Sequence, residues 1–194
     1  MGFYRKPEEA PPHPLKRFAC EKDAYAHLLH YGACDKGAVP HCFGWLELSP
    51  ADVDAIEALP GLASAWRGMK GDPSLPKALL LEYFPDAAQL SIDNVTSAVA
   101  QKVCRALYAV HACYVMHNDV NRRNILVLPD ERVVWVDFDA SWTARQSENE
   151  PPLRRQYLMK EFTRGWAHCY VDLVRAVPPS LGIEADWRVS TAPG

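Results

Sequence analysis

The chain has 194 residues, of which 48% are hydrophobic and 23% charged; a chain of this length buries roughly 70% of the surface its unfolded form exposes, so it needs no disulfide or metal staple. Its net charge of -3 excludes a polybasic nucleic-acid binder as the default reading. No apolar run approaches the roughly 20 residues of a membrane-spanning helix, and the start of the chain, with Arg5, Lys6, Glu8 and Glu9, lacks the apolar core of a secretory signal. The expectation is an intracellular protein, cytoplasmic or nuclear, with neither nucleic acid nor membrane as a partner. The six cysteines form no C-x-x-C pair, so they are read as reduced, small hydrophobes. His41-Cys42 and His168-Cys169 are poor metal pairs, because adjacent side chains on a strand point to opposite faces.

In chain order, Pro7, Pro11, Pro12 and Pro14 mark residues 7–14 as a loop. Phe18, Ala24, Tyr25, Leu28 and Leu29 then recur at helical spacing up to Tyr31, with Gly32 as the stop. Residues 33–40 form a loop, Cys42 to Leu48 a strand, and Ala51 to Leu59 a short helix after Ser49-Pro50. Residues 68–77 read as a loop and Ala78 to Phe84 as a buried strand stopped by Pro85. The strongest helix signal runs from Ile92 to Val115, with Val95, Val99, Val103, Leu107 and Val110 on one stripe. A polar loop at 117–124 leads into two strands, Ile125–Leu128 and Val133–Phe138, joined by a turn at Pro129-Asp130-Glu131. A charged loop at 145–153, a helix over Gln156–Val174 and a tail complete the chain.

The polar loop and the strands behind it carry the chemistry. Pairing around the turn at Asp130-Glu131 places Asn124 across from Asp137, and directly opposed residues have Cβ atoms about 4.5–5.5 Å apart. A carboxylate and a carboxamide oxygen at that separation suit Mg²⁺, which takes one or two carboxylates and leaves its other positions to water and phosphate oxygens. Asp119, upstream on the same loop, stands as a candidate base. The competing reading is structural: Asp and Asn commonly bond their own loop backbone.

The segment His117-x-Asp119-x-x-x-x-Asn124 followed by Asp137-Phe138-Asp139 resembles the catalytic loop and the Asp-Phe-Gly motif of the protein-kinase superfamily. It is also similar to kinase-fold small-molecule phosphotransferases, which often carry an acid in the third position, as Asp139 does. The resemblance implies that Asp119 is the catalytic carboxylate that accepts or orients the acceptor's proton, with Arg123 beside the transferred group and His117 orienting the loop. It implies that Asn124, Asp137 and Asp139 hold Mg²⁺. Upstream, the helix carrying Glu21 looks like the regulatory helix with the ion-pair glutamate. Leu79-Leu80-Leu81-Glu82-Tyr83-Phe84 looks like the hinge strand, with Leu81 as gatekeeper and the backbone of Glu82 and Phe84 facing adenine. The implied cofactors are ATP and Mg²⁺, and the acceptor is a protein or a small molecule.

The expected fold is therefore α+β and kinase-like. Residues 1–84 form a partial N-terminal lobe with an incomplete sheet, 85–179 a shortened and mostly helical C-terminal lobe, and 180–194 a tail. The pattern departs from the family in lacking a glycine-rich loop and a phosphate-binding lysine, for which Lys6 is a weak candidate, and in lacking an Ala-Pro-Glu motif. The reading is a truncated phosphotransferase domain that is weak or inactive by itself. The alternatives are a pseudokinase acting as a binding or scaffold module and a metal-dependent hydrolase using the same acids.

Overall fold

The computed structural model describes residues 14–59, 76–143 and 155–167. Among them the fold is mixed α+β, with four helices and small antiparallel sheets. The elements run α1 (Pro14–His30), β1 (Cys42–Glu47), α2 (Pro50–Glu57), β2 (Lys77–Leu81), β3 (Ala88–Gln89), α3 (Ser97–Ala112), β4 (Val115–Met116), β5 (Ile125–Val127), β6 (Val133–Trp135), β7 (Trp142–Thr143) and α4 (Arg155–Trp166). Strands β1 and β2 pair, β3, β5 and β6 form a three-stranded sheet in that order, and β4 pairs with β7. Among the described residues no helix is long and apolar enough to cross a membrane.

Helix α1 begins at Pro14, inside the stretch expected to be loop and ahead of the expected start at Phe18. Proline is tolerated in the first helical turn, where its missing N–H has no intrahelical partner to lose. The helix closes as its glycine requires. Gly32 sits at φ +78°, the Ala33 N–H reaches back to the Leu28 carbonyl at 2.8 Å, and the Gly32 N–H bonds the Leu29 carbonyl at 3.2 Å. That pair of bonds is the Schellman arrangement. Helix α2 is fixed by a reciprocal capping box: Ser49 Oγ accepts from the Asp52 N–H while Asp52 accepts from the Ser49 N–H, and no residue of the helix is buried.

Helix α3 is the centre of the core. Val99, Val103, Leu107 and Val110 are buried along it, with Val95 just before its Thr96 N-cap. Each such side chain contributes about 1.5–3 kcal/mol relative to exposure. The helix starts later than the expected Ile92, because Thr96 caps the Val99 N–H at 3.1 Å. It ends before Tyr114, whose φ of 59° leaves the helical region. The same cluster takes in Ala24, Tyr25 and Leu28 of α1 and Ile125, Trp135 and Phe138 of the hairpin. One core thus spans the expected boundary at residue 84.

Two strand expectations need correction. Ala78 to Phe84 is not a buried strand: β2 ends at Leu81, Leu80 is 52% exposed and Tyr83 83% exposed. Among the described residues β1 is the lone strand partner of β2, and its Phe43 and Trp45 are exposed as well. The second hairpin strand stops at Trp135 rather than Phe138, and the register differs by one residue. Ile125 faces Trp135 and Val127 faces Val133, so the next backbone bond, Val136 N–H to the Asn124 carbonyl at 3.0 Å, puts Asn124 opposite Val136. A slip of one would turn Asp137 to the other face of a regular strand. The chain has already left the strand by then, for Asp137 lies at φ +68°.

The expected loops at 68–75 and 145–153, the helix beyond 167, Lys6 and the tail at 180–194 lie outside the described residues. Trp135 is fully buried and donates its indole N–H to the Val103 carbonyl at 3.2 Å, tying the hairpin to α3. Replacing it with alanine removes a large core volume and the indole bond to α3. Urea unfolding of Trp135→Ala is expected to show a loss of about 3–5 kcal/mol; a loss below about 1 kcal/mol would mean that the hairpin does not anchor the core.

Candidate functional site

The site is built where α3 hands the chain through β4 into the loop at 117–124. The loop is held from below by one buried carboxylate. Glu161, on α4, accepts the His117 N–H at 2.9 Å and the Asn118 N–H, and it pairs with His111 Nε2 of α3 at 2.7 Å. Both Glu161 and His111 are buried. Asn118 turns the chain at φ 64°, a conformation asparagine tolerates well, and its Nδ2 donates to the Ala140 carbonyl at 3.1 Å.

His117 is fully buried. Its Nε2 bonds the Val136 carbonyl at 2.9 Å, and its ring lies 4.6 Å from Phe138 and 5.1 Å from Trp135, centroid to centroid. Burial lowers its pKa, against the Glu161 charge and the Val136 bond, which favour the cation. The neutral ring donates from Nε2, and its buried Nδ1 has no partner. Phe138 is in turn edge-on to Tyr25 of α1 at 5.6 Å. An unbroken stack of rings therefore runs from α1 to the hairpin.

Asp119 is gripped from two sides. Arg123 Nη2 approaches its Oδ2 at 2.7 Å, and Asn124 Nδ2 donates to the same oxygen at 3.1 Å and to the Asp119 carbonyl at 3.0 Å. Asn121 fixes the spacing by accepting the Arg123 N–H, which closes the 3₁₀ turn Arg122–Asn124. Burial works to raise the Asp119 pKa, but the bonds from Arg123 and Asn124 outweigh it and hold the carboxyl below its ordinary value. Asp119 is thus an ionised acceptor.

The acids at the end of the opposite strand, and the one that reaches them from α1, go the opposite way. Glu21 of α1 is pushed up to about 7, by burial first and then by the charges of Asp137 and Asp139, while a bond from the Phe138 N–H works against the rise. Asp139 is raised too, by burial and then by Asp137, with Arg17 opposing at 3.2 Å. Asp137 and Asp139 are close enough to hydrogen-bond when one is protonated. Three carboxylates therefore share one field with one paired guanidinium.

Among the described residues no three His, Cys, Asp or Glu side chains converge closely enough to hold a metal ion by themselves. Mg²⁺ does not require three, since substrate phosphates and water fill its remaining positions. Asn124 makes its side-chain bonds to Asp119 through Nδ2, so neither of them occupies Oδ1, which is an oxygen donor of the kind a hard cation takes. The donor set fits a hard cation.

The expected nucleotide residues have other partners. Leu81 is half-buried at the margin of the core. The Glu82 N–H is turned back to the His41 carbonyl at 2.8 Å, and the Glu82 carboxylate accepts the His41 N–H at 3.1 Å. That backbone N–H faces His41, which leaves the Glu82 carbonyl and the Phe84 N–H for the expected adenine contact. The Phe84 ring lies under Arg132 at 5.3 Å. No hydrogen bond or ion pair joins Leu81, Glu82 or Phe84 to the acids among the described residues. A cavity of about 320 Å³ lies elsewhere, lined by Arg105 and Tyr108 of α3 and Phe162 and Trp166 of α4.

The raised Glu21 pKa has a signed consequence. The folded state holds this proton more tightly than the unfolded chain, so the contribution to stability is full below pH 4.5 and is lost as pH rises through 7. Glu21→Gln removes the dependence. The variant is expected to exceed the wild type by on the order of 2 kcal/mol at pH 8.5, after discounting for solvent screening. The two should converge below pH 5. Parallel stability curves across that range would refute the raised pKa.

A second expectation concerns the anchor. Glu161→Ala leaves the His117 and Asn118 N–H groups without their acceptor, and breaking such a buried charged network costs about 3–5 kcal/mol. Glu161→Gln keeps one acceptor oxygen and is expected to cost less. Amide exchange at 117 and 118 should quicken first; unchanged exchange in Glu161→Gln would show that other contacts hold the loop.

No protein-family model matches the chain, and no curated protein matches it significantly.

Proposed function

We propose that the chain is a kinase-like phosphotransferase domain that binds ATP with Mg²⁺ and directs phosphoryl transfer to a hydroxyl acceptor. The observation that carries this reading is the shared turn of Asp119 and Asn124: one amide binds the acid through nitrogen and keeps its oxygen for a cation. Asp137 and Asp139 add carboxylates to the same field. Acids driven apart in pKa, with Asp119 low and Glu21 high, are the usual sign of divided roles.

When bound, Mg²⁺ would neutralise phosphate charge and hold the nucleotide in place. Asn124 and Asp137, with Asp139, are the residues that would hold it. Asp119 stays ionised and accepts the hydrogen bond of the acceptor hydroxyl, orienting its oxygen for attack. Arg123 keeps Asp119 charged and places a guanidinium next to the transferred group. His117 stays neutral, donates to Val136, and keeps loop and hairpin in register. Phosphoryl transfer needs mainly positioning and electrostatic stabilisation, so this small set of groups is sufficient in kind. Leu81 would pack on adenine, and the Glu82 carbonyl and Phe84 N–H would meet its edge.

A second reading is a pseudokinase that serves as a binding or scaffold module. Glu21 favours it: among the described residues no basic side chain pairs with this acid, which holds a proton near neutral pH. A group of that kind gives no fixed ion pair for gripping phosphate.

Calorimetry with Mg-ATP separates the readings. The phosphotransferase reading expects Mg²⁺-dependent binding at about 0.1–1 mM, worth about 4–5.5 kcal/mol. Asp137→Asn should abolish the metal dependence, and Asp119→Asn should leave binding intact while removing whatever turnover exists. Silence at several millimolar ATP would leave the scaffold reading. Binding indifferent to Mg²⁺ and to Asp137→Asn would show that the hairpin end is no metal site.

A further inference from the structure

Helix α1 grips the turn after β6 by several contacts from one face. Arg17 and Glu21 stand one helical turn apart, a spacing that puts both on the same side. Arg17 Nη1 meets Asp139 Oδ2 at 3.2 Å. Glu21 accepts the Phe138 N–H between the two aspartates. The Ser141 hydroxyl donates to the Cys20 carbonyl at 3.1 Å, and the Tyr25 ring closes on Phe138. The Phe138, Ser141 and Tyr25 contacts fasten the backbone and the core side of the turn. Only the Arg17 contact engages a side chain that faces the acidic group.

We propose that Arg17 is a resident counter-cation: it occupies Asp139 in the metal-free chain and competes with a divalent cation for the charge of Asp137 and Asp139. The proposal rests on the phosphotransferase reading of these acids. Among the described residues Asp139 is paired with Arg17 and Asp137 with no cation. The arrangement is therefore an acidic pair with a guanidinium on one member only. A guanidinium has no lone pair to offer a metal and its charge repels one, so Arg17 on Oδ2 weakens the hold of the Asp139 carboxylate on a divalent cation. The Arg17 side chain is 48% exposed, and exposed pairs are weak enough to be exchanged. Release costs the helix little, because Glu21, Ser141 and Tyr25 keep their contacts. Arg17 thus sets the threshold for metal rather than the shape of the site.

The test uses Mn²⁺ alone, titrated by electron paramagnetic resonance against the full chain, with no nucleotide present. Four proteins are compared: wild type, Arg17→Gln, Asp139→Asn and the double variant. Arg17→Gln is expected to tighten Mn²⁺ about three- to fivefold, the size of an exposed ion pair. In the Asp139→Asn background the same change should alter affinity less than about 1.5-fold, because the competition is gone. Equal gains in both backgrounds would show a general field effect, and no gain in the wild-type background would show no competition; either outcome overturns the proposal and leaves the metal site standing. If neither wild type nor Arg17→Gln holds Mn²⁺ up to several millimolar, the metal reading itself falls and the proposal with it.

Discussion

The loop that carries Asp119 has its shape because a single buried carboxylate holds it. Glu161 is satisfied by two backbone N–H groups and by His111, and charge-assisted bonds of this kind are worth about 1.5–3 kcal/mol each. The geometry runs outward from there. Fixing the backbone at His117 and Asn118 places the His117 ring under Phe138 and aims its Nε2 at Val136. Val136 in turn pairs with Asn124, and Asn124 holds Asp119. Helices α3 and α4 meet at this same carboxylate, so packing of the helical half and order in the loop are one event.

The electrostatics divide the acids into two populations. Asp119 has an arginine and an amide on one oxygen and is held low. Glu21 and Asp139 have burial and each other's neighbours, and are raised. Both effects come from short stretches of chain: a four-residue spacing supplies Arg123 to Asp119, and a two-residue spacing forces Asp137 toward Asp139. The consequence for any bound anion is asymmetry, with a cationic edge at Arg123 and an acidic edge at the α1 side.

Much of this was legible in the residues. The valine stripe of α3 and the stop at Gly32 follow from helical periodicity and from the conformational freedom of glycine, and the structure has both. The α+β class, expected from the resemblance together with the order of helices and strands, is the class the structure has. The register of the β5–β6 hairpin was misplaced by one, because Glu131 takes φ 58° in the turn and the strand ends at Trp135. Neither feature has a local signature, since glutamate and aspartate at positive φ are chosen by context. The start of α1 at Pro14 was hidden by proline's ambiguity, which marks a first helical turn as readily as a loop. Glu161 and His111 carried no signal at all. A glutamate in an amphipathic helix reads as solvent-facing, and only the approach of α4 to the loop shows why it is buried.

Helix α2 stands outside this web. It has a full capping box and no buried residue, so among the described residues local hydrogen bonds carry more of its stability than core packing does. With no buried side chain of its own to release, its opening is expected to be a local event of low free energy. Sequence drift, a spliced-in epitope or a fluorophore is tolerated there without disturbing the acids. By the same token, α2 is blind: a label on it reports neither the state of the loop nor the grip of α1, and a signal that moves both will leave it silent.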